Sequence, residues 1–165
     1  MGTWLPETAD AETEFDAVFG LRPDLAEAYR DFEDVFWSQR LLDPVVLELC
    51  RLRCAQLLRC QEALATRTPM AVEAGLDEQL VAALPEWPHR AEFSDLQRAC
   101  LAFAEQFVLD PHGVSEEQRA AARAHVGDAG LVALAEALAI FDGFARFRTI
   151  LGIERGGEGT PARGE

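Results

Sequence analysis

The 165-residue sequence predicts an all-α protein, a multi-helix bundle, on three observations. Alanine is abundant and β-branched residues are few, which favours helix. Apolar residues recur at three- and four-residue intervals, and no segment sustains the alternation that a strand requires. Helix-start residues, Asp or Ser before Pro or an acidic turn, precede the periodic runs. The length fits one domain over residues 11–155, with an N-terminal arm at 1–10 and a glycine- and charge-rich tail at 156–165 expected to be disordered.

Taken in order, residues 11–19 read as a short helix ending at Gly20. Pro23 and Asp24 then open a second helix, with Leu25, Tyr29, Phe32 and Phe36 on one core-facing stripe. Residues 44–67, PVVLELCRLRCAQLLRCQEALATR, read as one central helix with Asp43 as N-cap and Pro44 in its first turn. Thr68 and Pro69 start a short element that stops at Gly75, and Asp77 caps another that ends at Pro85. The segment PEWPHRAEF is read as a loop, because its two prolines deny the backbone helical hydrogen bonds. Ser94 caps the next helix, Ser115 another, and Asp128 the last long one, which contains Gly143. The central and final helices, the most hydrophobic, are expected to pack together or against copies in other subunits.

Charge and cysteine usage narrow the function. The net charge of -14, with fifteen arginines and no lysine, leaves no basic patch to neutralise phosphates, so neither nucleic acid nor an anionic membrane is an expected partner. The acidic start MGTWLPETADAETEFD is unlike a signal peptide, and no uninterrupted apolar run approaches the ~18 residues of a membrane span. The crowding of Cys50, Cys54 and Cys60 is unlike a secreted disulfide framework. A cytoplasmic protein with reduced thiols is the expectation.

Cys50 and Cys54, a helical turn apart, suit small buried hydrophobes better than metal ligands, since His89, His112 and His125 lie far off in the sequence. Cys100 takes the same reading, and His89 that of a loop histidine. Cys60 differs in having polar neighbours, Arg59, Gln61 and Glu62, and a guanidinium beside an exposed thiol favours the reactive thiolate. Glu48, between Leu47 and Leu49, is a candidate half-buried proton relay; pairing with Arg51 three residues on is at least as good a reading.

The run ELCRLRCAQLLRCQEALATR resembles the signature of the alkylhydroperoxidase D-like, or carboxymuconolactone decarboxylase, family. That signature has a glutamate, a cysteine twelve residues later, a second cysteine three further on and a histidine four beyond. Glu48 and Cys60 stand at the first two positions, Ala63 and Arg67 at the others. The resemblance extends over about residues 40–153, through AVEAGLDEQLVAALPEW, FSDLQRACLAFAEQF and DGFARFRTILGI. It implies a bundle of the alkylhydroperoxidase D-like type, homo-oligomeric, with a redox dithiol whose protons are moved by glutamate and histidine. Alanine cannot close that disulfide, and arginine cannot shuttle the proton. Leu58-Arg59, where many relatives look to have a polar residue and glycine, is expected to let the helix run through and to deprive Cys60 of a helix N-terminus.

Glu48, Cys60 and Arg67 are therefore the candidate catalytic residues, with no cofactor and no metal expected. Three functions follow. The first is a lyase- or isomerase-like enzyme on a small carboxylated substrate, with Arg67 as clamp and Glu48 as acid or base. The second is a single-cysteine thiol peroxidase using Cys60. The third is a non-catalytic oligomer acting as scaffold or ligand sensor.

Overall fold

A computed structural model describes residues 3–6, 11, 13–38 and 40–153, and the expected tail at 156–165 lies outside them. The described elements are helices and turns: α1 (Glu14–Phe19), α2 (Pro23–Ser38), α3 (Pro44–Leu58), α4 (Gln61–Ala65), α5 (Pro69–Glu73), α6 (Glu78–Ala83), α7 (Asp95–Leu109) and α8 (Glu116–Leu151). Three of them, α3, α7 and α8, pack mutually and hold the main core, as the pairing of the central and final helices anticipates. Every residue from Val46 to Cys50 is buried, together with Leu52, Cys54 and Ala55, so α3 is covered nearly all round.

The helix starts follow from their caps. Asp43 Oδ1 accepts from the Val45 and Val46 N–H groups at 2.8 and 3.1 Å, fixing the entry to α3. Ser94 with Gln97, and Ser115 with Gln118, form reciprocal capping boxes at the starts of α7 and α8.

Several expectations are corrected. The central helix does not run to residue 67: it stops at Leu58, Arg59 takes the left-handed conformation (φ 56°, ψ 33°), and a separate α4 begins after Cys60. The stop is a Schellman motif, with Cys60 N–H donating to Ala55 O and Arg59 N–H to Gln56 O. An exposed arginine fills the position where glycine is usual, so the missing glycine did not abolish the break. The PEWPHRAEF segment is not all loop, since residues Leu84–His89 form a 3-10 helix with Trp87 buried. A 3-10 turn is short enough to accommodate both prolines, and Glu105 anchors it by accepting from Trp87 Nε1 at 2.7 Å and from Arg53 Nε at 2.5 Å. On α2, Leu25 is 48% exposed, whereas Phe36 is buried as its stripe predicts.

The last helix is broken at Gly127, whose φ of 72° and ψ of -178° interrupt the helical path between two arms, residues 116–126 and 128–151. Averaged across Asp128 and Glu136, α8 contains an 18-residue window, mean hydropathy 1.5, apolar enough by length and composition to cross a membrane. The uninterrupted-run criterion overlooks it. Its buried face packs on α3 and α7, as a core helix does. The arm at 1–10 is described at residues 3–6, where Thr3 Oγ1 donates to Leu151 O at 2.8 Å and Thr3 N–H to Glu14 Oε1 at 2.7 Å. This stretch of the arm is thus tied to the C-terminal end of α8 of its own chain.

Candidate functional site

Glu48 is fully buried, and its carboxylate is saturated. Arg51 forks onto it, Nε to Oε2 at 2.8 Å and Nη2 to Oε1 at 2.7 Å, while Thr68 donates its N–H to Oε1 at 3.3 Å and its hydroxyl to Oε2 at 3.1 Å. A carboxylate offers about four lone-pair positions, and all are used. The same guanidinium donates to the carbonyls of Ala63 and Thr66, both at 2.9 Å, so it ties α3 to α4 and to the turn after it. The pairing with Arg51 is the arrangement found, in place of an available proton relay.

Cys60 is 4% exposed and packs in a small apolar cluster with Ala55 and Ala145, lined by Leu58, Ala63 and Leu64. It stands at the N-cap of α4, contrary to the expectation of a through-running helix, but its side chain makes no capping bond and α4 has only five residues. The polar neighbours in sequence gave the wrong exposure because the Schellman turn swings Arg59 outward and Cys60 inward.

Arg67 is also committed. Its Nε and Nη2 pair with Glu78 at 2.9 and 3.0 Å, and its Nη1 donates to Leu64 O and Thr66 O, both at 2.8 Å. Glu78 in turn is held below the usual carboxylate range by its hydrogen bond from Arg67.

A cavity of about 260 Å³ opens between α2, α3, α4 and the second arm of α8. Arg51, Ala63, Arg67 and Thr68 line one side, and α2 and α8 supply an aromatic wall that includes Tyr29, Phe36, Trp37, Phe141 and Phe144. Glu48 lies behind Arg51, and Cys60 does not line the cavity; of the three predicted residues only Arg67 reaches it. The wall at the second-cysteine position is the methyl group of Ala63.

Beyond Arg51 and Arg67, sequence reading missed the polar residues of this cavity. Tyr29 donates its phenol to Glu33 at 2.8 Å, and burial first, then that hydrogen bond, pushes the phenol well above its ordinary value. Their four-residue spacing on a helix was the available signal. Arg148 lies 2.7 Å from Glu62 Oε2 in an ion pair whose angle is not that of a hydrogen bond, so its buried Nε–H keeps no acceptor. The Arg148 guanidinium lies 4.4 Å from the centre of the Phe15 ring and 5.9 Å from that of Phe144.

The other thiols behave as core. Burial pushes Cys54 up to about 12, helped by nearby Asp142, and Cys100 up to about 11; Cys50 is raised well above the ordinary range. Because these thiols stay protonated in the folded state while unfolded cysteine ionises near pH ~8.5, their contribution to stability is complete below that pH. It is lost as pH rises from there through the folded values. The urea midpoint is therefore expected to be level from pH 6 to 8 and to fall above about pH 8.5, less steeply in Cys54→Ala. A midpoint unchanged to pH 10 would contradict this. Among the described residues no group of three His, Cys, Asp or Glu side chains is placed to hold a metal ion.

An all-α bundle with a glutamate, a buried cysteine and a cavity wall drawn from one helix–turn–helix segment defines a class. Residues 23–106 match the Carboxymuconolactone decarboxylase family, and the chain belongs to it. It is 30% identical over 123 residues to the uncharacterized protein YnjA of Escherichia coli K12, covering 72% of this chain and 67% of that one. Its fold is similar to the crystal structure of ATU0492, a protein of unknown function from Agrobacterium tumefaciens, with a TM-score of 0.76 at 18% identity over 86% of this chain and 97% of that one.

Proposed function

We propose that this protein is a ligand-holding member of the family, one that keeps the fold and a cavity and has given up dithiol peroxide chemistry. The observation that carries the reading is the saturation of Glu48 by Arg51 and Thr68, which leaves no lone pair for a reacting proton. Burial of Cys60 outside the cavity and a methyl group at Ala63 point the same way. A single-cysteine peroxidase would need Cys60 to meet peroxide, and a lyase that clamps a carboxylate with Arg67 would need that guanidinium free. The forks of Arg51 and Arg67 are both occupied.

Sulfenate trapping tests this. After hydrogen peroxide treatment, dimedone is expected to leave Cys60 unlabelled in the folded protein and to label it in urea. Labelling of Cys60 in the folded protein would overturn the reading.

A homo-oligomer in the cytoplasm fits this proposal. Trp37, Phe141, Phe144 and Phe147 do not themselves require a second subunit, because Phe15, Phe19, Tyr29 and Phe36 of the same chain contact them. The support comes instead from α8, where Val132 and Ile150 are 68% and 73% exposed. Sedimentation equilibrium is expected to give a multiple of the 18.2 kDa chain, lowered by Val132→Glu; a monomer at all concentrations would remove this part of the proposal.

A further inference from the structure

Three arginines and two glutamates line the cavity, Arg51, Arg67 and Arg148 against Glu33 and Glu62, so its wall carries more positive than negative charge. Two of the guanidiniums are spent. Arg51 donates to Glu48 and to the carbonyls of Ala63 and Thr66, and Arg67 donates to Glu78 and to the carbonyls of Leu64 and Thr66. Arg148 is different. Among the described residues its guanidinium donates no hydrogen bond, and its Nε–H is buried without an acceptor although Glu62 Oε2 lies 2.7 Å away, off the angle a hydrogen bond needs.

A buried charged donor left unpaired is a cost to the fold, and native proteins keep few such groups without a reason. The residues around Arg148 do not complete it. Phe15 and Phe144, 4.4 and 5.9 Å from the guanidinium, attract its charge through their rings and offer no lone pair. Glu33, the other lining carboxylate, accepts from the Tyr29 phenol at 2.8 Å. An acceptor oxygen on a ligand in the cavity would complete Arg148, and a carboxylate oxygen gains more there than a neutral carbonyl because both partners of the bond are charged. The aromatic wall decides the rest of the ligand. Tyr29 and Phe144 lie 4.3 Å apart at 32°, and Trp37 and Phe141 6.1 Å apart at 27°, a surface that suits a flat apolar body.

Taking the ligand-holding reading as its basis, we infer that the cavity binds a small aromatic carboxylate, with the Arg148 Nε–H as its donor and the Tyr29, Trp37 and Phe144 rings around its body. The volume of about 260 Å³ is below the usual range for drug-sized ligands, so a single ring bearing one carboxylate is the class that fits. Glu62 and the ligand compete for one guanidinium, so the Glu62 carboxylate lowers the affinity.

Three probes of one shape and different charge test the inference: benzoate, its neutral isostere benzamide, and the cation benzamidine. Titration calorimetry on the full chain is expected to show benzoate binding about tenfold tighter than benzamide, or better, and no binding of benzamidine. Arg148→Met, which keeps an unbranched side chain without the donors, is expected to weaken benzoate about tenfold. Glu62→Gln is expected to tighten benzoate severalfold and to leave benzamide unchanged, which a merely structural role for the Arg148–Glu62 pair would not produce. This variant carries the test if Arg148→Met fails to fold. Benzoate is expected to change tryptophan emission in the wild type and not in Trp37→Phe, which places the site in this cavity; a change that survives in Trp37→Phe overturns the inference. Equal or tighter binding of benzamide or benzamidine overturns the anionic class and leaves the ligand-holding reading standing. If none of the three binds, or if Glu62→Gln leaves benzoate unchanged, the inference is overturned. The broader reading falls with it if a screen of neutral and cationic small molecules also leaves Trp37 emission and the melting temperature unmoved.

Discussion

Replacing Arg51 with alanine is expected to destabilise the protein by about 3–5 kcal/mol, because it leaves the fully buried Glu48 carboxylate without its counter-ion. Thr68 alone would then face a charge that water cannot reach. The loss should exceed that of Glu48→Gln, since Arg51 keeps its bonds to the Ala63 and Thr66 carbonyls when the carboxylate is neutralised. For a chain of this size the change corresponds to a melting temperature lower by roughly 6–20 °C. Placing apolar side chains at both positions should cost less than Arg51→Ala alone, because the penalty comes from the orphaned charge. Equilibrium urea unfolding of the four proteins measures this, and a loss under about 1 kcal/mol for Arg51→Ala would contradict the saturated-carboxylate description.

Gly127→Ala is expected to cost about 1–3 kcal/mol through backbone strain alone. A Cβ at Gly127 would meet nothing within 4 Å, so crowding is not the cause. The combination of φ 72° with ψ -178° is a region that side-chain-bearing residues avoid, and asparagine should be no better there than alanine. Gly152 offers the contrast. Its φ of 67° and ψ of 26° are ordinary left-handed values at a helix end, where Gly152→Asn should cost only a few tenths of a kcal/mol. Equal losses for asparagine at the two positions would show that Gly127 is not strained in the way described.

The helices were legible because their signals are local. Asp43, Ser94 and Ser115 announce their caps within four residues, and the apolar stripes of α3 and α8 predict the pairing at the core. The end of α3 was not legible, because it depends on Arg59 adopting a left-handed conformation that sequence alone assigns to glycine. One misplaced residue had a large consequence. A continuous helix would have kept Cys60 among polar neighbours, whereas the Schellman turn buries it beside Ala145, far along the chain.

The site was half legible for a related reason. Glu48, Cys60 and Arg67 were chosen by position in a motif, and position fixes neither exposure nor partners. The Glu48–Arg51 pair is local and was weighed as an alternative; the Arg67–Glu78 pair joins residues eleven apart and could not be read. The aromatic side of the cavity brings α2 to α8 across more than a hundred residues, so in the sequence Tyr29 and Phe36 read as core and not as a cavity wall shared with Phe141 and Phe144.

The claim that the family's redox chemistry is absent while its fold persists is tested most directly by steady-state hydrogen peroxide consumption with dithiothreitol as reductant. The wild-type protein is expected to match Cys60→Ser and to add nothing above the rate of the reductant alone. A wild-type rate well above that background, abolished in Cys60→Ser, would contradict the account.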